Sequence, residues 1–184
     1  TQEAALRAAL APRISAGLDK YEGRLSKIRE AHFCLSLAVA FYGAGKLQIS
    51  LRWITRLLND TAIGQNEWIY AVAQLFQLIL HIELDNHELL PYILRSVTRY
   101  LKTRNRVYQF ETSFLAFAEK LTRNAQATAA DYNELAKALK PLTDDPFEQS
   151  AFEYFDFPAW AESKISGKSF AEIISEKAGA DEEM

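Results

Sequence analysis

Residues 66–123 read NEWIYAVAQLFQLILHIELDNHELLPYILRSVTRYLKTRNRVYQFETSFLAFAEKLTR. Their apolar spacing predicts three helices joined by two short turns, at Leu84–His87 and Thr103–Arg106. The first, Glu67 to Leu84, is apolar on most of its circumference, so it is expected to be buried on several sides. In the second, Leu89, Leu90, Ile93, Leu94, Val97 and Leu101 define the expected core face. In the third, Phe110, Phe114, Phe117 and Leu121 recur at i, i+4, i+7 and i+11, which is a core stripe at helical period.

On the N-terminal side, residues 3–22 read as a helix kinked at Pro12. Ser26 is placed to cap the next helix, which runs to about Tyr42 and ends at Gly43-Ala44-Gly45. A further helix follows from Leu47 to about Asn59, with Leu47, Leu51, Ile54, Leu57 and Leu58 on one side, and 61–66 reads as a loop. On the C-terminal side a shorter helix spans Asp131–Leu139 and stops near Pro141. Asp145-Pro146-Phe147-Glu148 has the composition of a helix start. Asp156-Phe157-Pro158 predicts a break and restart into Ala159–Ile165, and Ser166-Gly167-Lys168 a turn. Ser169-Phe170-Ala171-Glu172 fits a capping box that opens a last short helix. Residues 178–184 read as a frayed acidic tail.

The segments Glu30–Asn59 and Glu67–Thr103 share one pattern: a mostly apolar helix, a short turn and an amphipathic helix. Gly45-Lys46-Leu47 in the first corresponds to Asp85-Asn86-His87 in the second, a spacing of about forty residues, within the range of helical-pair repeats. Stacking such pairs buries apolar faces that one pair alone would expose. Leu37-Ala38, Phe41-Tyr42, Gly45, Ser50 and Leu51 resemble the tetratricopeptide (TPR) pattern of a small contact, an aromatic, a turn glycine and a small residue. The second unit carries Asp85 in place of the glycine and Leu90 in place of the small residue. The segments ELDNHELLPYILRSVTRYLKTRNRVYQFE and DPFEQSAFEYFDFPAWAESKISGKSFAEII resemble the C-terminal region of a family of uncharacterised bacterial TPR-like proteins, over roughly residues 20–177. The resemblance implies a fold and no activity. The expected fold is all-α: a right-handed TPR-like stack of antiparallel helix pairs over about 24–124 and a C-terminal helical cap over about 125–177, forming a single domain.

Composition narrows the function classes. The 184-residue chain is 49% hydrophobic and holds 7 Gly and 5 Pro, too few for the many tight turns of an all-β fold. The net charge of −3 is mild and does not mark a nucleic-acid binder. It is unevenly spread: residues 86–124 hold seven Lys/Arg against three Asp/Glu, and residues 125–184 hold five against thirteen. The one cysteine, Cys34, provides no intrachain disulfide and fits a reducing, cytoplasmic setting. No apolar run is long enough to span a bilayer. The chain begins at Thr1 rather than Met, which fits a processed form or the C-terminal part of something longer.

Enzyme and cofactor signatures are weak throughout. Gly43-Ala44-Gly45-Lys46 lacks the earlier glycine and the following Ser/Thr of a phosphate loop and reads as a helix-ending turn. His81, Glu83, Asp85, His87 and Glu88 crowd one turn, but their spacing matches no metal motif. Cys34 sits among apolar residues and reads as core. The expectation is therefore no catalytic residue, no cofactor and no metal. Two faces read instead as partner-binding. Tyr70, Gln74, Gln77 and His81 form a polar stripe on an otherwise apolar helix. Arg95, Arg99, Lys102 and Arg106 form a basic ridge at i, i+4, i+7 and i+11, with Arg104 and Arg123 nearby. The other reading of the ridge, favoured because exposed helix faces are commonly charged, is a solvated helix back, paired in part with the acidic C-terminal segment. The expected function is a protein-interaction module that binds a peptide or helix, acidic in character, in a concave groove. The alternative is a structural, self-associating module, because the aromatics of 147–170 would drive homo-oligomer formation if they were not docked in cis.

Overall fold

Ser26 opens the helix Lys27–Gly43 in the structure, a computed structural model that describes residues 16–17, 25–60, 67–104, 108–124 and 127–182. Eight α-helices follow in order: α1 (Lys27–Gly43), α2 (Leu47–Asn59), α3 (Glu67–Glu83), α4 (Leu90–Thr103), α5 (Gln109–Asn124), α6 (Ala129–Leu139), α7 (Phe157–Ser166) and α8 (Phe170–Glu182). No strand occurs among the described residues. The expected helix over 3–22 lies outside them, apart from Ala16 and Gly17, as does the loop 61–66. The chain divides into two compact units, Thr1–Leu84 and Asp85–Met184. The boundary falls between the two helices of the second expected pair.

In the first unit the ends of α1 are set by two local devices. The Ser26 hydroxyl accepts the Arg29 N–H, and Gly45 takes φ 71° just past the last turn. Gly45 N–H then donates to the Tyr42 carbonyl and Lys46 N–H to the Phe41 carbonyl, both at 2.8 Å, the paired bonds of a left-handed helix stop. The chain re-enters as α2, whose buried residues are Ser50, Trp53, Ile54 and Leu57. Leu47, Leu51 and Leu58 are only half-buried, so the core face is rotated from the leucine side towards Ser50 and Trp53. Ser50 can face the core because its hydroxyl donates to the Ala38 carbonyl at 2.7 Å, which satisfies the one polar atom it brings. In α3, Ile69, Ala71, Val72, Ala73, Leu75, Phe76, Leu78, Ile79 and Leu80 are all buried, as its all-round apolarity requires. The Tyr42 hydroxyl donates to Glu83 at 3.1 Å and ties α1 to the end of α3.

In the second unit the Phe stripe is the spine. Phe110, Phe114, Phe117 and Leu121 are buried on one side of α5. Phe157 and Trp160 of α7 pack against that side, with ring centroids 4.6 Å apart for Phe110–Phe157 and 5.9 Å for both Phe114–Trp160 and Phe117–Trp160. Tyr132 of α6 closes the cluster at 5.1 Å from Phe117. Phe155, Phe157 and Trp160 are therefore buried in cis, and of the large aromatics in the segment only Phe147 stays strongly exposed, stacked on Tyr108.

The ends of α6, α7 and α8 carry side-chain caps. Thr128 and Asp131 form a reciprocal capping box, and the Asp156 carboxylate accepts the Ala159 N–H at 2.7 Å. The box at Ser169 and Glu172 forms as its motif predicts, with Ser169 N–H donating to Glu172 at 2.7 Å. Two expectations fail. Asp145-Pro146-Phe147-Glu148 starts no α-helix: it is a turn leading to a single 3₁₀ turn, Gln149–Ala151. Asp145 folds back onto the Phe147 N–H at 2.7 Å instead of capping three residues on. The last helix is longer than expected and runs to Glu182, through most of the supposed frayed tail. Lys168–Glu176, at 2.6 Å, and the box at Ser169 support it from its N-terminal end.

Candidate functional site

Helix α4 begins with Pro91 in its first turn, where a missing N–H costs nothing. Leu90, Val97 and Leu101 are buried, whereas Ile93 and Leu94 are half-buried and Leu89, placed on the core face by its spacing, is 50% exposed. Leu89 sits at the helix entry, before the helical period places side chains on the inner face. On the outer face Arg95, Arg99 and Lys102 are exposed one turn apart. The fourth ridge residue, Arg106, lies outside the described residues. Arg104 ends the helix and its guanidinium lies 4.5 Å from the Tyr100 ring centroid, so it belongs to the helix terminus and not to the ridge.

The ridge is one wall of a groove of about 910 Å³ between α4 and α5. Leu94, Leu101, Leu115 and Ala116 supply apolar surface, and Glu111, Thr112, Glu119 and Thr122 form the wall contributed by α5. The groove exists because α5 spends its aromatic side on α7 and leaves no aromatic towards α4, only Glu111, Thr112, Leu115, Ala116, Glu119 and Thr122. The α5 wall is absent from the sequence expectation. Its signal was the face of α5 complementary to the Phe stripe, which no motif marks.

Electrostatically the two walls differ. Among the described residues no carboxylate lies within ion-pair distance of Arg95, Arg99 or Lys102. Arg95 instead lies 6.0 Å from the Tyr92 ring centroid. The acidic C-terminal segment is engaged elsewhere. Asp156 and Glu162 meet Lys177, Glu176 meets Lys168, and Glu134 meets Lys120. Across the groove Glu111 is buried and Glu119 is held by Arg123 at 2.6 Å. One wall is thus cationic, and the other is mildly acidic to neutral.

The polar stripe of α3 lies in the first unit and presents less surface. Gln74 and His81 are buried, and Tyr70 and Gln77 are half-buried. The Tyr70 hydroxyl donates to the Leu58 carbonyl at 3.0 Å, capping the end of α2. Burial pushes the His81 imidazole below its usual range. Tyr70 and His81 therefore take part in the unit's own packing.

The remaining reactive side chains sit apart. Cys34 is buried, and burial pushes its thiol up to about 11, far from thiolate formation at neutral pH. His87 pairs with Asp85 in the turn before α4. Among the described residues no group of three or more His, Cys, Asp or Glu is placed to hold a metal ion, and no helix is long and apolar enough to cross a membrane. Comparison of the chain with protein-family models, curated proteins and solved structures finds no match.

Proposed function

We propose that this chain is a protein-interaction module, a TPR-like helical scaffold that takes a peptide or helix of a partner protein in the groove between α4 and α5. One observation carries the reading: three exposed cations line an apolar groove with no carboxylate partner among the described residues. Cations left open beside apolar surface favour an acidic, amphipathic partner, which gains both contact area and charge complementarity. The TPR-like character of the scaffold is supported by the two turns forty residues apart. Gly45 and Asp85 both adopt positive φ, 71° and 58°.

The test is backbone NMR of the whole chain titrated with a panel of amphipathic helical peptides of differing charge. Binding is expected to shift the amides of Leu94–Thr103 and Glu111–Thr122. A panel without a binder, or shifts confined to other helices, would remove the reading.

A further inference from the structure

We infer that the α4–α5 groove accepts an amphipathic helix with one acidic edge, and that the two unlike walls fix the direction in which that helix lies. The inference rests on the groove being the docking site proposed above.

Arg95, Arg99 and Lys102 recur at i, i+4 and i+7, a spacing that spans about 10 Å along α4 at 1.5 Å per residue. A helix laid alongside offers the same period, so carboxylates at i, i+4 and i+7 (or i, i+3 and i+7 when it runs the other way) meet all three cations. An extended strand presents same-face residues about 6.6 Å apart, so it keeps step from Arg95 to Arg99, about 6 Å, but overshoots Lys102 by about 3 Å at the third contact. The groove floor also suits a helix. Leu94, Leu101 and Leu115 give it apolar surface, and Ala116 leaves room for close approach.

The second wall supplies the direction. The α5 residues that line the groove include no cation, so an acidic edge turned to that flank of the occupant would gain no ion pair there. The pairing of Glu119 with Arg123 leaves this wall mildly acidic to neutral, and the contrast with the α4 wall remains. A polyanion charged along its whole length, such as a nucleic acid, would face both walls at once and gain from only one. A helix with one acidic edge avoids this by turning that edge towards α4. Reversing the helix end for end, with its apolar face still on the floor, exchanges its two flanks. Only one direction then matches the walls.

The short link between Thr103 and Gln109 makes α4 and α5 antiparallel neighbours. Pro91 and Thr122 therefore mark one end of the groove, and Thr103 and Glu111 the other.

Two designed peptides of about 14 residues, long enough for a groove of four turns, provide the test. They share composition and apolar stripe, with acidic edges on opposite flanks, and each carries a nitroxide at its N-terminus. Paramagnetic broadening of amides in the whole labelled chain reports the direction of each. The expected result is opposite directions: one peptide broadens the Pro91/Thr122 end and the other the Thr103/Glu111 end. Affinity should fall at least about tenfold when Arg95, Arg99 and Lys102 are all changed to Glu, since three partly exposed ion pairs are reversed. Should that variant fail to fold by circular dichroism, the same charge contribution is read from weakening of the wild-type complex by salt. Both peptides lying in one direction, or either lying in both, would overturn the inference while groove binding stands. Salt-insensitive binding would overturn it as well. Failure of both peptides to bind anywhere on the chain would instead remove the groove reading and the inference with it.

Discussion

The Glu148 carboxylate accepts the backbone N–H of Gln109 at 2.7 Å, across 39 residues of sequence. Its second oxygen accepts the Phe110 N–H at 3.1 Å. One buried acid from the 145–151 turn thus satisfies two of the free N–H groups at the start of α5, the helix that carries the Phe stripe. It also places a negative charge at the positive end of that helix.

Replacing Glu148 tests how much this clasp matters. Glu148→Ala leaves two N–H groups without their acceptor and should cost about 2–3 kcal/mol, in the range for charge-assisted bonds lost from a buried site. Glu148→Gln keeps one acceptor oxygen and should lose about half as much. Urea unfolding gives the energies, and hydrogen exchange at the amides of 110–114 localises them. A loss below about 0.5 kcal/mol for the alanine variant would show that water replaces the clasp.

The two positive-φ turns should respond differently to substitution. A Cβ at Gly45 would meet nothing within 4 Å, so the cost of Gly45→Ala is conformational only, about 1 kcal/mol. Asp85 already adopts φ 58° with a side chain. Asp85→Gly relieves that strain but frees the unfolded chain, and the two effects should leave stability within about 0.5 kcal/mol of wild type. Thermal melts of both variants check this; a neutral Gly45→Ala would argue against the left-handed stop.

Trp160 lies against Phe114, Phe117 and Tyr132 and is fully buried. Trp160→Ala should cost about 3–5 kcal/mol, the range for removing a large aromatic from a core. It should also uncover part of the α5 stripe and raise the mass seen by light scattering with increasing concentration. A variant that stays as monodisperse as wild type would show that the stripe remains covered.

The buried His81 imidazole predicts a pH effect in the first unit. Its pKa is lowered by burial from a model-compound value of 6.5. The unfolded chain therefore takes up a proton at higher pH than the folded one, and stability is complete above pH 6.5 and declines as pH falls through the folded value. Urea midpoints measured from pH 7.5 down to 5.5 should drop more steeply for wild type than for His81→Leu. Equal slopes would mean that His81 titrates alike in both states.

Local devices were legible because each depends on residues a few positions apart. Ser26 before α1, Gly45 after it and the Ser169–Glu172 box act within one helical turn, so their motifs name them. The Phe stripe was legible for the same reason, since period alone places Phe110, Phe114 and Phe117 on one side. The Asp145 segment failed because its composition fits two local outcomes. Glu148 is drawn to the N-terminus of α5, a partner that no local pattern discloses. Half of the groove was legible, as the ridge Arg95, Arg99 and Lys102. The other half depends on which side of α5 the rings of Phe157 and Trp160 occupy.

By itself the sequence determined an all-helical chain, most of its helix ends, and the side of α5 that must be buried. Those properties follow from backbone hydrogen bonding and helical period, which operate within a few residues. Tertiary structure decided that, among the described residues, acids of the C-terminal segment pair with Lys120, Lys168 and Lys177 rather than with Arg95, Arg99 or Lys102, and that Phe155, Phe157 and Trp160 are buried in cis. It also decided that the ridge faces Leu115 and Ala116 across a groove. Such outcomes depend on which distant surfaces meet, and charge or apolarity alone leaves many pairings of nearly equal energy until packing selects one.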